Sequence, residues 1–119
     1  MIIGKIFTFD AAHRLPNHKG HCQNQHGHTW TLTVEISAPV NKKTGMVMDY
    51  GNLKEIVNKL VIDNLDHQNL NNTFNNPTCE NIIQSIANTL KIALKPPVKL
   101  HSLKLQEGNG GYAIWITKD

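Results

Sequence analysis

A His-Gly-His step at the head of a strictly alternating segment constrains this chain more than any other feature. His28, Trp30, Leu32, Val34 and Ile36 share one parity, and Thr29, Thr31, Thr33, Glu35 and Ser37 share the other. A period of two marks a strand with one buried face. Carried back to His26, the same parity turns both imidazoles toward the buried side, about 7 Å apart along the strand. Gly27 between them leaves the opposite face uncrowded. Two imidazoles so placed can converge on one metal ion, with Zn–N bonds near ~2.0–2.1 Å. A third histidine comes from the first apolar segment, residues 2–13, where Phe7, Phe9, Ala11 and His13 share a parity. Pairing of the two strands brings three neutral imidazoles together with a fourth position open, the pattern of catalytic rather than structural zinc.

Cys22 sits on the polar loop of residues 14–25 that joins these strands. It reads either as the fourth ligand of a closed His3Cys structural site or as a reactive thiol, since a nearby metal favours the thiolate. The residues alone leave both open, and they leave open which divalent ion is bound. His18, His21 and His101 read as lone histidines, hydrogen-bonded in the core or scattered by chance, with no ligand role.

The 119 residues suit one domain, taken as 1–119. No apolar run approaches a membrane span and the first residues carry no signal-peptide pattern, so a cytoplasmic protein is expected. In that setting Cys22 and Cys79 are expected as free thiols rather than a disulfide. The formal charge of +3 is mild, with Arg14 the single arginine, and no basic run interleaved with aromatics supports nucleic-acid binding. A slight positive excess suits attraction of a small polyanion.

The spacing predicts a strand over 2–13, a second over 27–38, and a turn from Pro39 to Gly45. Asp49 then caps a helix whose buried stripe is Leu53, Ile56, Val57, Leu60, Val61 and Leu65. That helix exits at Asp66-His67, which reads either as plain polar loop or as a pair able to pass protons to and from a cysteine. Thr78 caps a second helix, with Glu80 in its first turn and Cys79, Ile82, Ile83, Ile86, Ala87, Leu90 and Leu94 along one face. Pro96-Pro97 ends it. Two strands follow around Gly108-Asn-Gly-Gly111. Leu103, Leu105 and Glu107 share the apolar parity of the first, and Tyr112, Ile114 and Ile116 that of the second. Glu107 therefore ends an apolar face, exposed at the turn or aimed into a pocket where it could accept two hydrogen bonds from a pterin or guanine edge. The order β-β-α-α-β-β predicts an α+β domain, a four-stranded antiparallel sheet with both helices on one face. Its open edges invite closure by neighbouring subunits.

The run Phe9-Asp-Ala-Ala-His13-Arg-Leu-Pro16, Cys22 three residues before His26-Gly-His28, Leu65-Asp66-His67, Asn76-Pro77-Thr78-Cys79-Glu80-Asn81 and the late Glu107 resembles the 6-pyruvoyl-tetrahydropterin synthase family. The matches are collinear over nearly the whole chain, and the short gap after Cys22 is similar to the 6-carboxy-5,6,7,8-tetrahydropterin synthase branch of queuosine biosynthesis. The resemblance implies a tunnelling fold, with subunits closing three together into a barrel and two rings stacking into a homohexamer. It implies Zn2+ on His13, His26 and His28, proton transfer by Cys22 with Asp66 and His67 from a neighbouring subunit, and a pterin anchored by Glu107 beside Thr78 and Glu80. The implied substrate is 7,8-dihydroneopterin triphosphate, and the implied products are 6-carboxytetrahydropterin, acetaldehyde and triphosphate. Arg14 and Lys19 lie near enough in sequence to meet the triphosphate. Cys79 stands where the family often has a small polar residue. Rival readings are the pyruvoyl-forming sister enzyme, a zinc- or pterin-binding module without turnover, and a metal-free Cys-His hydrolase.

Overall fold

The alternating segments form the two longest strands, β1 (Ile2–His13) and β2 (His26–Ser37), in the computed structural model, which describes residues 1–118. They pair antiparallel over their whole length, from Ile2 opposite Ser37 to His13 opposite His26. The third strand, β3, is Gln68–Asn69, and the last two are β4 (Lys99–Glu107) and β5 (Tyr112–Ile116). The sheet order is β3-β1-β2-β4-β5. The sheet thus has five strands rather than the expected four, and it is mixed, because β3 runs parallel to β1. Two residues with exposed side chains carry no period-two signal. Their pairing is set where the chain leaves the first helix, by the His67 backbone N–H donating to the Asp10 carbonyl.

Asp49 caps helix α1 (Tyr50–Val57) by accepting from the Gly51 backbone N–H, and Thr78 caps α3 (Cys79–Ala93) by accepting from that of Asn81. Each such cap stabilises its helix by about 1 kcal/mol. Between them the first predicted helix is interrupted. A π-helical segment, Asn58–Ile62, separates α1 from the short α2 (Asp63–Leu65). The wider turn advances the stripe, so Ile62 joins Val61 and Leu65 in the core while Leu60 is only half-buried.

The helices cover one face of the sheet. Trp30, Leu32, Val34 and Ile36 of β2 and Leu103 and Leu105 of β4 are fully buried there with Leu53, Val57, Ile82 and Leu90 of the helices. Truncating Leu103 or Leu105 to alanine costs about 2–5 kcal/mol. The expectation for β5 is corrected in one respect. Ala113 and Trp115, not Tyr112, Ile114 and Ile116, pack on the core; the latter three are 55–62 % exposed. Trp115 lies opposite the core residue Leu103 and beneath the ammonium of Lys91 on α3, so helix packing chooses the face. No described helix is long and apolar enough to cross a membrane.

Candidate metal centre

The strand register brings the predicted histidines together. His13 lies directly opposite His26, and His28 lies opposite Ala11, two residues along the same face. Ring centroids are 4.6 Å apart for His13 and His26, 5.2 Å for His13 and His28, and 4.7 Å for His26 and His28. Trp30 closes the core side, with its ring 5.1 Å from that of His13 and 5.7 Å from that of His28. Among the described residues His13 is the one fully buried polar side chain.

Two hydrogen bonds fix which nitrogen of each ring is free. His13 Nδ1–H donates to the Pro77 carbonyl at 2.8 Å, and His26 Nδ1–H donates to the Asn24 carbonyl at 2.7 Å. A carbonyl only accepts, so each ring carries its proton on Nδ1 and, when neutral, presents a bare Nε2 lone pair. The Nε2 atoms of His13, His26 and His28 are buried, and none has a partner in hydrogen-bond geometry. Glu107 Oε1 completes the cluster at 3.2 Å from His13 Nε2 and 2.9 Å from His28 Nε2. The four ligand atoms lie within 4.8 Å of one another. Imidazole nitrogens and a carboxylate oxygen are the donor set of a divalent metal such as zinc, and the orphaned lone pairs fit that use.

The electrostatics are those of an anion among imidazoles. Burial lowers the pKa of His13, but Glu107 and the Pro77 carbonyl outweigh it and the net shift is upward. Burial dominates at His28, whose pKa is lowered with help from the other two rings. Glu107 is held below the usual carboxylate range, chiefly by its contact with His13. A cation within this set would perform the same neutralisation without protons.

The remaining predicted residues lie around this centre. Cys22 is half-buried on a short 3-10 turn (His21–Gln23) and falls outside the four-residue cluster, which leaves the His3Cys reading without support. Asp66 Oδ2 accepts from His67 Nδ1–H at 3.0 Å. The pair belongs with Asp10, whose side chain accepts from Thr29 Oγ1 at 2.6 Å on the sheet face opposite the imidazoles. Asp66 is held below its ordinary pKa, first by the Asp10 backbone N–H. His67, 78 % exposed, has a φ of 60°, a left-handed conformation that costs a non-glycine residue about 1–3 kcal/mol. Thr78 is engaged as the cap of α3, and Glu80, Arg14 and Lys19 are exposed. Four contributors escaped the sequence reading: the carbonyls of Pro77 and Asn24, and the side chains of Asp10 and Thr29. Backbone acceptors leave no residue-type signature, so only the Asp10–Thr29 pair, on matching parities of adjacent strands, could have been found.

Comparison with known proteins finds one family and one fold. The family profile described as 6-pyruvoyl tetrahydropterin synthase matches residues 2–117. A Haemophilus influenzae protein named 6-carboxy-5,6,7,8-tetrahydropterin synthase is 52% identical over 68 residues, 55% of this chain and only about half, 48%, of its own length. A Synechocystis protein of the same name is 39% identical over 112 residues, covering 89% of this chain and 85% of its own. A Pyrococcus furiosus protein named dihydroneopterin monophosphate aldolase is 41% identical over 102 residues, 86% and 85% of the two chains. The structure of Caenorhabditis elegans 6-pyruvoyl tetrahydropterin synthase superposes with a TM-score of 0.87 at 26% identity, covering 99% of this chain and 96% of that one.

Proposed function

The chain belongs to the 6-pyruvoyl tetrahydropterin synthase family, and from that premise we propose that it is a zinc-dependent 6-carboxy-5,6,7,8-tetrahydropterin synthase of queuosine biosynthesis. It converts 7,8-dihydroneopterin triphosphate to 6-carboxytetrahydropterin, acetaldehyde and triphosphate, acting as a carbon–carbon lyase in the cytoplasm. The carrying observation is the convergence of three buried, unpartnered Nε2 atoms, from His13, His26 and His28. Relatives carrying that name over most of their length support the substrate class.

His13, His26 and His28 hold the zinc, which when bound supplies a Lewis acid that lowers the pKa of substrate hydroxyls. The chain's own groups move the protons. Cys22 removes and returns them as the general acid-base group. Asp66 holds His67 with Nδ1–H donating, so that Nε2 is left to accept a proton and give it back. Glu107 accepts from the flat N–H edge of the pterin, with Thr78 and Glu80 shaping that pocket, and Arg14 and Lys19 meet the triphosphate.

Asp66 and His67 sit with Asp10 and Thr29 on the face away from the imidazoles, so a neighbouring copy completes each site. The exposed apolar stripe of Tyr112, Ile114 and Ile116 on edge strand β5 supports closure of copies into a barrel, three to a ring and two rings to a hexamer.

A second reading keeps the site and changes the substrate, because the P. furiosus aldolase is about as similar as the Synechocystis synthase, at 41% against 39% identity. One assay separates them. Zinc-loaded protein is given the triphosphate or the monophosphate of dihydroneopterin, with Cys22→Ala alongside. Acetaldehyde and a 6-carboxy pterin from the triphosphate, absent in the variant, establish the synthase. Turnover of the monophosphate alone establishes an aldolase, and a pyruvoyl product establishes the sister enzyme. Zinc bound tightly without any turnover leaves a binding module.

A further inference from the structure

The parallel pairing of β3 with β1 continues for one step after the backbone of β3 has turned away. Gln68 lies opposite Ala11 and Asn69 opposite Ala12. The chain then coils into a 3-10 turn, Leu70–Asn72, around the buried Leu70. Asn71 nevertheless meets Arg14, 57 positions before it, which is the offset that already relates the two paired residues.

The contact is made by the side chain. Arg14 N–H donates to Asn71 Oδ1 at 2.8 Å, and Asn71 Nδ2–H donates to the Arg14 carbonyl at 2.9 Å. A carboxamide offers an acceptor and a donor, the two groups that a partner strand would supply to the same residue. Asn71 thus extends the ladder along β1 to the residue after His13, without any strand beside it.

Arg14 in turn fixes the base of the thiol loop. The next residue, Leu15, donates its N–H to the Cys22 carbonyl at 2.6 Å, and its own carbonyl accepts from the His18 N–H at 3.0 Å. Pro16, Asn17, His18, Lys19 and Gly20 are exposed, so hydrogen bonds rather than core packing hold this loop in place. At the far end Asn69 Oδ1 accepts from the Asn71 N–H at 3.1 Å and, more weakly, from Gln25 Nε2–H at 3.4 Å. Of the two asparagines, Asn71 makes both short bonds to the loop and is the half-buried one.

We propose that Asn71 is a positioning residue for Cys22. Its carboxamide holds Arg14 in line with β1, and Arg14 sets Leu15, on which the Cys22 carbonyl is fastened. This rests on Cys22 acting as the proton-transfer group, as proposed above.

The test compares wild type, Asn71→Ala, Asn71→Asp and Asn72→Ala, the last an exposed neighbour on the same turn. Two readouts need no substrate. In Asn71→Ala the Arg14 and Leu15 amides are expected to exchange with solvent roughly 10-fold faster, as their local opening is eased. Cys22 should be alkylated by iodoacetamide faster by about the same factor at fixed pH. With 7,8-dihydroneopterin triphosphate, kcat should fall roughly 10²-fold while KM stays near that of wild type, because the thiol is misplaced and the substrate contacts are not. Zinc affinity should not change. Asn71→Asp keeps the acceptor for Arg14 N–H and lacks the donor to its carbonyl, so it should fall between Asn71→Ala and wild type. Asn72→Ala should match wild type throughout. Unchanged exchange and alkylation in Asn71→Ala would refute the proposal, as would a fall in kcat that merely follows lost zinc. A wild type without turnover would defeat the proposed reaction instead, and exchange and alkylation would still decide whether Asn71 holds the loop.

Discussion

The Nδ1–H of His13 donates to the carbonyl oxygen of Pro77 at 2.8 Å, tying the end of β1 to the residue before the cap of α3. The bond does two things. It sets the tautomer that frees Nε2, and it satisfies the carbonyl of a buried residue. His13→Ala is therefore expected to fail twice. Zinc affinity falls by roughly 100-fold or more, and the metal-free protein loses about 1–3 kcal/mol from the orphaned carbonyl. Chelator competition and urea unfolding of metal-stripped protein check the two separately. Unchanged stability would show that Pro77 finds water instead.

Asp66 makes the second prediction, with a sign fixed by its lowered pKa. A carboxylate whose folded pKa is depressed stabilises the native state above its unfolded value and loses that contribution as pH falls through the folded value. Asp66→Asn is expected to melt below wild type at neutral pH. The gap should stay constant down to about pH 5 and close as the pH drops below the ordinary value of 3.8. Turnover of the variant should fall by about 10²-fold or more, through a misplaced His67 rather than weaker substrate binding. A gap that widens in acid would contradict the assignment.

The cysteines are expected to differ sharply in reactivity. Burial pushes the Cys79 thiol up to about 11, and its S–H donates to the Leu105 carbonyl at 3.1 Å. It stays protonated and enclosed throughout the neutral range. Iodoacetamide near pH 8 should label Cys22 and spare Cys79 until the protein is unfolded, as read by peptide mass spectrometry. Equal labelling in the native state would remove the argument for Cys22 as the functional thiol.

The three-histidine centre was legible because strand parity converts residue spacing directly into a shared face. His13, His26 and His28 needed only pairing of β1 with β2 to meet. The caps at Asp49 and Thr78 were legible for a similar reason, since a short polar side chain at a helix start has one strong use. What escaped depends on backbone or on packing. The π segment Asn58–Ile62 answers to the core volume that receives Ile62, and β3 answers to the exit path of a helix. The inward face of β5 is set by contact with α3, because Ala113 and Trp115 are as apolar in type as Tyr112, Ile114 and Ile116. Periodicity finds two faces and cannot say which one is covered.

That uncovered face carries the fourth prediction. Ile114 is 55 % exposed near the middle of β5, on an edge strand whose outer backbone groups await a partner. Ile114→Glu should leave the melting temperature of the isolated fold nearly unchanged, since little apolar contact is lost within one chain. Sedimentation velocity should show smaller species than wild type, and activity should fall with them if copies share sites. A wild type that sediments as a monomer, fully active, would refute shared sites outright.

Zinc itself makes the last prediction, because the centre exists only when β1 and β2 are paired. An ion that binds the native state alone stabilises it by RT ln(1 + [L]/Kd), about 2.7 kcal/mol at a hundredfold excess over Kd. For a domain of this size that corresponds to a rise of roughly 8–14 °C in Tm. Chelator-treated protein should melt lower by this amount and recover when zinc returns, while His26→Ala should not respond. Magnesium should fail to substitute, since imidazole donors suit zinc and a hard, strongly hydrated ion prefers oxygen. An equal response of wild type and His26→Ala would place the stabilising zinc elsewhere on the chain.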